Sequence, residues 1–97
     1  MSLRAHPIVE HATLPDGGTV AVWVGVPEDP YVATAELTTV DIQLHEGDNV
    51  LASVTTVLEP RQDSEARQLA REVRSAIEAG DIALTAAALE PFADRLR

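Results

Sequence analysis

Near Pro60 the chain changes its chemistry, and that change constrains the fold more than any motif does. Residues 1–60 hold nearly all of the Val and Thr and most of the Gly and Pro. Residues 61–97 are rich in Ala, Leu, Arg and Glu. β-Branched residues favour a pleated strand, whereas Ala, Leu, Arg and Glu favour a helix, so strands should come first and helices last. With 97 residues in all, neither half can bury an apolar face alone, so the two must pack as one domain spanning 1–97.

Periodicity locates the elements. Ile8–Leu14 reads as a first strand and leads into Pro15-Asp16-Gly17-Gly18, a turn in which Pro fixes one φ and the glycines admit positive φ. Thr19–Val26 returns, with Val20, Val22, Val24 and Val26 on one face and Ala21, Trp23 and Gly25 on the other. Pro27 and Pro30 then interrupt pairing, since neither can donate to a ladder. A third strand is expected from about Glu36 to Leu44, with Thr38, Val40, Ile42 and Leu44 facing inward and Thr39, Asp41 and Gln43 outward. His45–Asn49 reads as a turn, and Val50–Leu58 as the returning strand. That strand alternates weakly, so its register is the least determined; an irregular 6–14 segment would leave three strands.

After Glu59-Pro60, Asp63 or Ser64 is the expected cap of a helix. Its apolar residues Ala66, Leu69, Ala70, Val73, Ala76 and Ile77 recur three and four apart, and Gly80 ends it. A second helical stretch from Thr85 carries Leu89, Phe92, Ala93 and Leu96 on one stripe. Pro91 should either kink it or open a fresh helix at Glu90. The fold class is therefore α+β: an antiparallel four-stranded meander of two hairpins, followed by two helices packed on one face. The polar face of the sheet is left to meet water or a second copy.

Charge narrows the partners. Sixteen acids against seven bases give a net charge of −9, and every base is Arg. Such a chain repels phosphate backbones and anionic lipid, so nucleic acid is unlikely and no membrane role is expected. No apolar window is long enough to span a bilayer, and Met1–Pro7 has no apolar signal core, so a cytoplasmic location is expected. There is no cysteine, which removes disulfides, thiolate metal sites and thiol catalysis.

The residues that could carry chemistry are few. His6, His11 and His45 are the only imidazoles, and a five-residue offset on one strand sends His6 and His11 to opposite faces. No metal site or cofactor is expected, and these histidines read first as surface or turn residues. The acidic turns Glu28-Asp29 and Glu46-Gly47-Asp48 are too short for a calcium loop. No nucleophile elbow, S-x-x-K or phosphate loop occurs, so the sequence names no reaction. A pocket using His11, Asp41 and His45 is the enzymatic or ligand-binding alternative. Asp41 itself is expected to face solvent, because its alternate face is polar.

The interface candidates are better patterned. Arg67, Arg71 and Arg74 fall at i, i+4 and i+7 on the long helix, either as a solvated face balanced by Glu65 and Glu72 or as a contact for an acidic surface. Trp23 stands between small neighbours that leave its ring room, first as a core or half-buried side chain and otherwise as an exposed anchor, and Tyr31 in the inter-hairpin loop is the second anchor candidate. The favoured reading is a small acidic interaction or regulatory module whose partner is protein, foremost itself. Two geometries separate the readings. A concave pocket joining a histidine to a carboxylate would favour the enzyme, and a flat patch containing Trp23 would favour the interface.

Overall fold

A computed structural model describes residue 3, residues 6–27, residue 31 and residues 39–95. Four strands, β1 (Ile8–Thr13), β2 (Thr19–Gly25), β3 (Val40–Glu46) and β4 (Asn49–Thr56), precede α1 (Asp63–Glu78) and α2 (Ala86–Asp94). The sheet runs β1-β2-β3-β4, each pair antiparallel, which is the two-hairpin meander the alternation predicts. The expected onset of the third strand at Glu36–Thr38, the acidic pair Glu28-Asp29 with Pro30, and Leu96 lie outside the described residues.

Turn chemistry sets the first hairpin. Gly17 takes φ 93°, the Asp16 carboxylate accepts from the Gly18 N–H at 2.9 Å, and the Leu14 N–H reaches the Gly18 carbonyl at 2.7 Å. The second hairpin is tighter than expected: His45 and Glu46 remain in β3, and only Gly47 and Asp48 turn, with Gly47 at φ 59°. Its weak alternation has a structural cause. Leu44 pairs with Ala52 but His45 pairs with Val50, so Leu51 is the extra residue of a β-bulge. Past the bulge the inward set is Ala52, Val54 and Thr56, while Val50 and Leu51 are exposed.

The covered face is almost wholly aliphatic. Val20, Val22, Val24, Val40, Ile42 and Leu44 are fully buried under Leu69, Val73 and Ile77 of α1 and Leu89 of α2. Ala66, Ala70 and Ala93 lie among them; their small side chains let the helix backbones approach the sheet. The core has no fully buried aromatic, so its stability is spread over many branched residues.

The helix ends depart from expectation at one point. Gln62, not Asp63 or Ser64, occupies the N-cap of α1, and its side chain accepts from the Glu59 N–H instead of capping the helix. Asp63 and Glu65 in the first turn still complement the helix dipole. Gly80, at φ 74°, closes α1 in a Schellman arrangement, with Gly80 N–H to Ile77 and Asp81 N–H to Ala76. For α2, Thr85 Oγ1 accepts from the Ala88 N–H, and the helix runs unbroken through Pro91. No fresh start occurs at Glu90. The proline removes one donor late in a short helix, and the carbonyl it would have served belongs to exposed Ala87.

Candidate functional site

Both helices lie on the same side of the sheet, so side chains of opposite parity form an open face. The register builds three rows across it. Val9, Trp23, Gln43 and Ser53 form the central row; His11, Ala21 and His45 form a second; Gly25, Asp41 and Thr55 form a third.

Trp23 is half-buried near the middle of this face. Its indole stacks on the His45 imidazole, with centroids 5.9 Å apart and planes 19° from parallel. His45 Nε2 lies 2.7 Å from Gln43 Oε1, which fixes the ring from its own strand. The other end of the indole lies over Gly25. A β-carbon there would come within 2.8 Å of the Pro7 Cβ and 3.0 Å of Trp23 Cζ2, so only glycine leaves room for this placement. Trp23 is thus held by both its neighbours' chemistry and one neighbour's lack of a side chain.

Asp41 corrects the expectation of a solvent-facing carboxylate. It does lie on the open face, yet it retains 9% exposure and its Oδ1 is buried without a hydrogen-bond partner. Burial pushes its pKa above the usual carboxylate range, and hydrogen bonding from the Thr55 and Ser53 side chains offsets part of that rise. Thr55 is its direct cross-strand partner.

The pocket candidates do not converge. His11 is exposed, and Ala21 stands between it and His45, so their backbones lie two strand spacings, roughly 10 Å, apart. His45 and Asp41 are separated by Gln43 on one strand. Among the described residues no group of three or more His, Asp or Glu could hold a metal. Two cavities, of about 470 and 350 Å³, lie between the helices and beside β1, and neither is lined by His11, Asp41 or His45.

The arginine row is occupied at home. Glu10 of β1 points toward the helix layer, where Arg71 Nε approaches one oxygen at 3.7 Å and Arg74 Nη1 the other at 3.8 Å. Arg74 also lies 3.8 Å from Glu78, and Glu78 Oε2 accepts from the Thr13 N–H at 3.2 Å. The row therefore straps α1 to the outer strand, and Glu78 caps one end of that strand's free edge. Exposed Arg67 lies beyond the strap, beside the smaller cavity. Tyr31 is 94% exposed. Sequence reasoning did not single out Gly25 or Glu10 as positioning residues. Their signals were a glycine inside a Val-rich strand and a carboxylate on its inward parity.

No helix among the described residues is long and apolar enough to cross a membrane. Comparison with known proteins found no match among family models, curated proteins or solved structures.

Proposed function

We propose that this chain is a cytoplasmic protein-binding module that associates with itself through the open face of its sheet, with Trp23 as the anchor. One observation carries the reading. On a molecule of net charge −9, the three open-face rows contain a single carboxylate, Asp41, which is itself buried, and no arginine. Two copies repel each other over most of their surfaces, but not over this one. A charge-poor face also meets a second copy of itself without setting like charges against each other, which favours a two-fold contact.

The sheet edges are weaker candidates. Glu78 caps the Thr13 end of β1, and the bulge at Leu51 distorts β4, both devices that blunt strand-to-strand pairing. Val9, the cross-strand partner of Trp23 on β1, is 44% exposed and would be covered by a face-to-face partner. The alternative, a ligand pocket on His11, Asp41 and His45, is less supported, since neither the cavity of about 470 Å³ nor that of about 350 Å³ is lined by any of the three.

Four strands about 4.8 Å apart and about seven residues long give a footprint of roughly 440 Å² per copy. That is small beside the roughly 800 Å² of a standard interface, so a weak dimer is expected, in the micromolar range or above. Sedimentation or light scattering up to about 1 mM should show mass rising toward a dimer. Trp23→Ala should abolish the rise with a modest loss of thermal stability. A monomer mass throughout would overturn the reading. An unchanged dimer with a sharply lowered melting temperature would make Trp23 a core residue instead.

A further inference from the structure

The helix layer carries a second surface, unrelated to the open face. α1 packs on β1 and β2, whereas α2 packs on β4, so the sheet's width sets the helix spacing. With β3 lying between the strands that α1 and α2 cover, the two helices touch only sparsely and do not close on each other along their length. A trench results. It has a volume of about 470 Å³, with Leu69 and Phe92 as apolar lining and Glu65, Gln68, Glu72 and Arg95 around them.

The trench already shows what it accepts. The Arg95 guanidinium lies over the Phe92 ring, 4.8 Å from its centroid, and its Nη2 is 3.3 Å from Glu72 Oε2. Gln68 Nε2 donates to the other oxygen of Glu72 at 3.1 Å, which orients the carboxylate. The arginine is nevertheless 59% exposed, so little holds it in place against a competitor. Glu65 is exposed nearby and adds a second negative charge to the rim.

We propose that the α1–α2 trench is a docking site for a basic amphipathic segment of another protein. An apolar side chain of that partner seats against Leu69 and Phe92. An arginine or lysine takes the cation's place on the ring or pairs with Glu65 and Glu72. Charge complementarity selects this occupant: a chain of net charge −9 steers basic segments toward it, and among the described residues that line the trench Glu65 and Glu72 face one cation, the tethered Arg95. The trench lies on the side opposite the Trp23 face, so a self-associated molecule presents two of them.

The test is fluorescence anisotropy with a labelled helical peptide of about 16 residues, built from Leu and Arg at amphipathic spacing, beside a counterpart with Glu for Arg. The Arg peptide should bind with micromolar affinity that weakens as salt rises, and the Glu peptide should not bind. Glu65→Gln with Glu72→Gln should weaken binding about tenfold with only a small fall in melting temperature, from the lost first-turn charge and the Glu72–Arg95 pair, and with no change in the mass in solution. Arg95→Ala removes the internal competitor and should tighten binding about threefold, an effect that a purely structural role would not produce. Phe92→Ala should abolish binding; because it can also loosen the fold, the Glu and Arg variants decide. Equal binding of both peptides, no binding, indifference to the Glu pair, or loss of binding in Trp23→Ala alone would each overturn the proposal. If the Glu pair changed the oligomer mass instead, the trench would belong to a self-contact, and the proposal would fail.

Discussion

The two faces of this sheet are built from the same strands in alternate register, yet they obey different rules. At the centre of the covered face residues are chosen for volume: Val22, Val24, Ile42 and Leu44 are all fully buried and need no particular partner, whereas Glu10 and Thr56 on the outer strands take specific ones. On the open face each residue depends on its neighbours. Trp23 lies where it does because Gly25 has no side chain and His45 offers a ring, and Asp41 is buried although its parity faces outward. One face is a packing problem and the other is a set of pairwise contacts.

That contrast can be broken by substitution. The largest effect should come from the covered face. Leu44→Ala leaves a cavity in the core and should cost about 2–5 kcal/mol in denaturant unfolding; a cost under about 1 kcal/mol would mean the face is loosely packed. Next is Gly25→Ala, on the open face. Its β-carbon collides with Pro7 and the Trp23 ring, so it should cost about 1–3 kcal/mol and displace the indole, visible as a shift in tryptophan emission. If stability and emission were unchanged, the glycine would not be positioning Trp23.

Asp41→Asn should act in the opposite direction and raise the melting temperature at neutral pH. The sign follows from the raised folded-state pKa: above it the ionised carboxylate is penalised in the folded chain, and the penalty fades as pH falls through the folded value toward the ordinary 3.8. The advantage of the variant over the parent should therefore shrink on acidification. An advantage that grew at low pH would contradict burial as the dominant cause. The smallest effect belongs to the strap: Glu10→Gln should cost under about 1 kcal/mol, because Arg71 and Arg74 lie at 3.7 and 3.8 Å and both remain partly solvated. It should also diminish with added salt.

How much of this was legible in the sequence divides along the same line. Alternating valines in 20–26 and the three-and-four spacing from Ala66 to Ile77 predict the strands and the long helix, because burial alone sets those patterns. The bulge at Leu51 was not legible, since one extra residue reverses parity without changing composition. Gln62 displaced the stronger capping residues Asp63 and Ser64 because its side chain serves the Glu59 N–H in the preceding turn. Asp41's burial could not be read from its own strand, where Thr39 and Gln43 suggest exposure. It follows from neighbours on other strands, among them Thr55. The arginine spacing was visible, but its counter-ion Glu10 lies some sixty residues away in the chain and meets it only through the fold. The trench likewise depends on sheet width, which no local pattern encodes.

Whether the Trp23 face is the contact surface can be read with a probe the chain supplies itself, since Trp23 is its only tryptophan. Emission wavelength and acrylamide quenching should be followed as concentration rises, alongside the mass in solution. The account predicts that emission shifts to the blue and quenching falls with the same midpoint as the rise in mass. A mass that doubles while the tryptophan stays equally quenchable would place the contact elsewhere and contradict it.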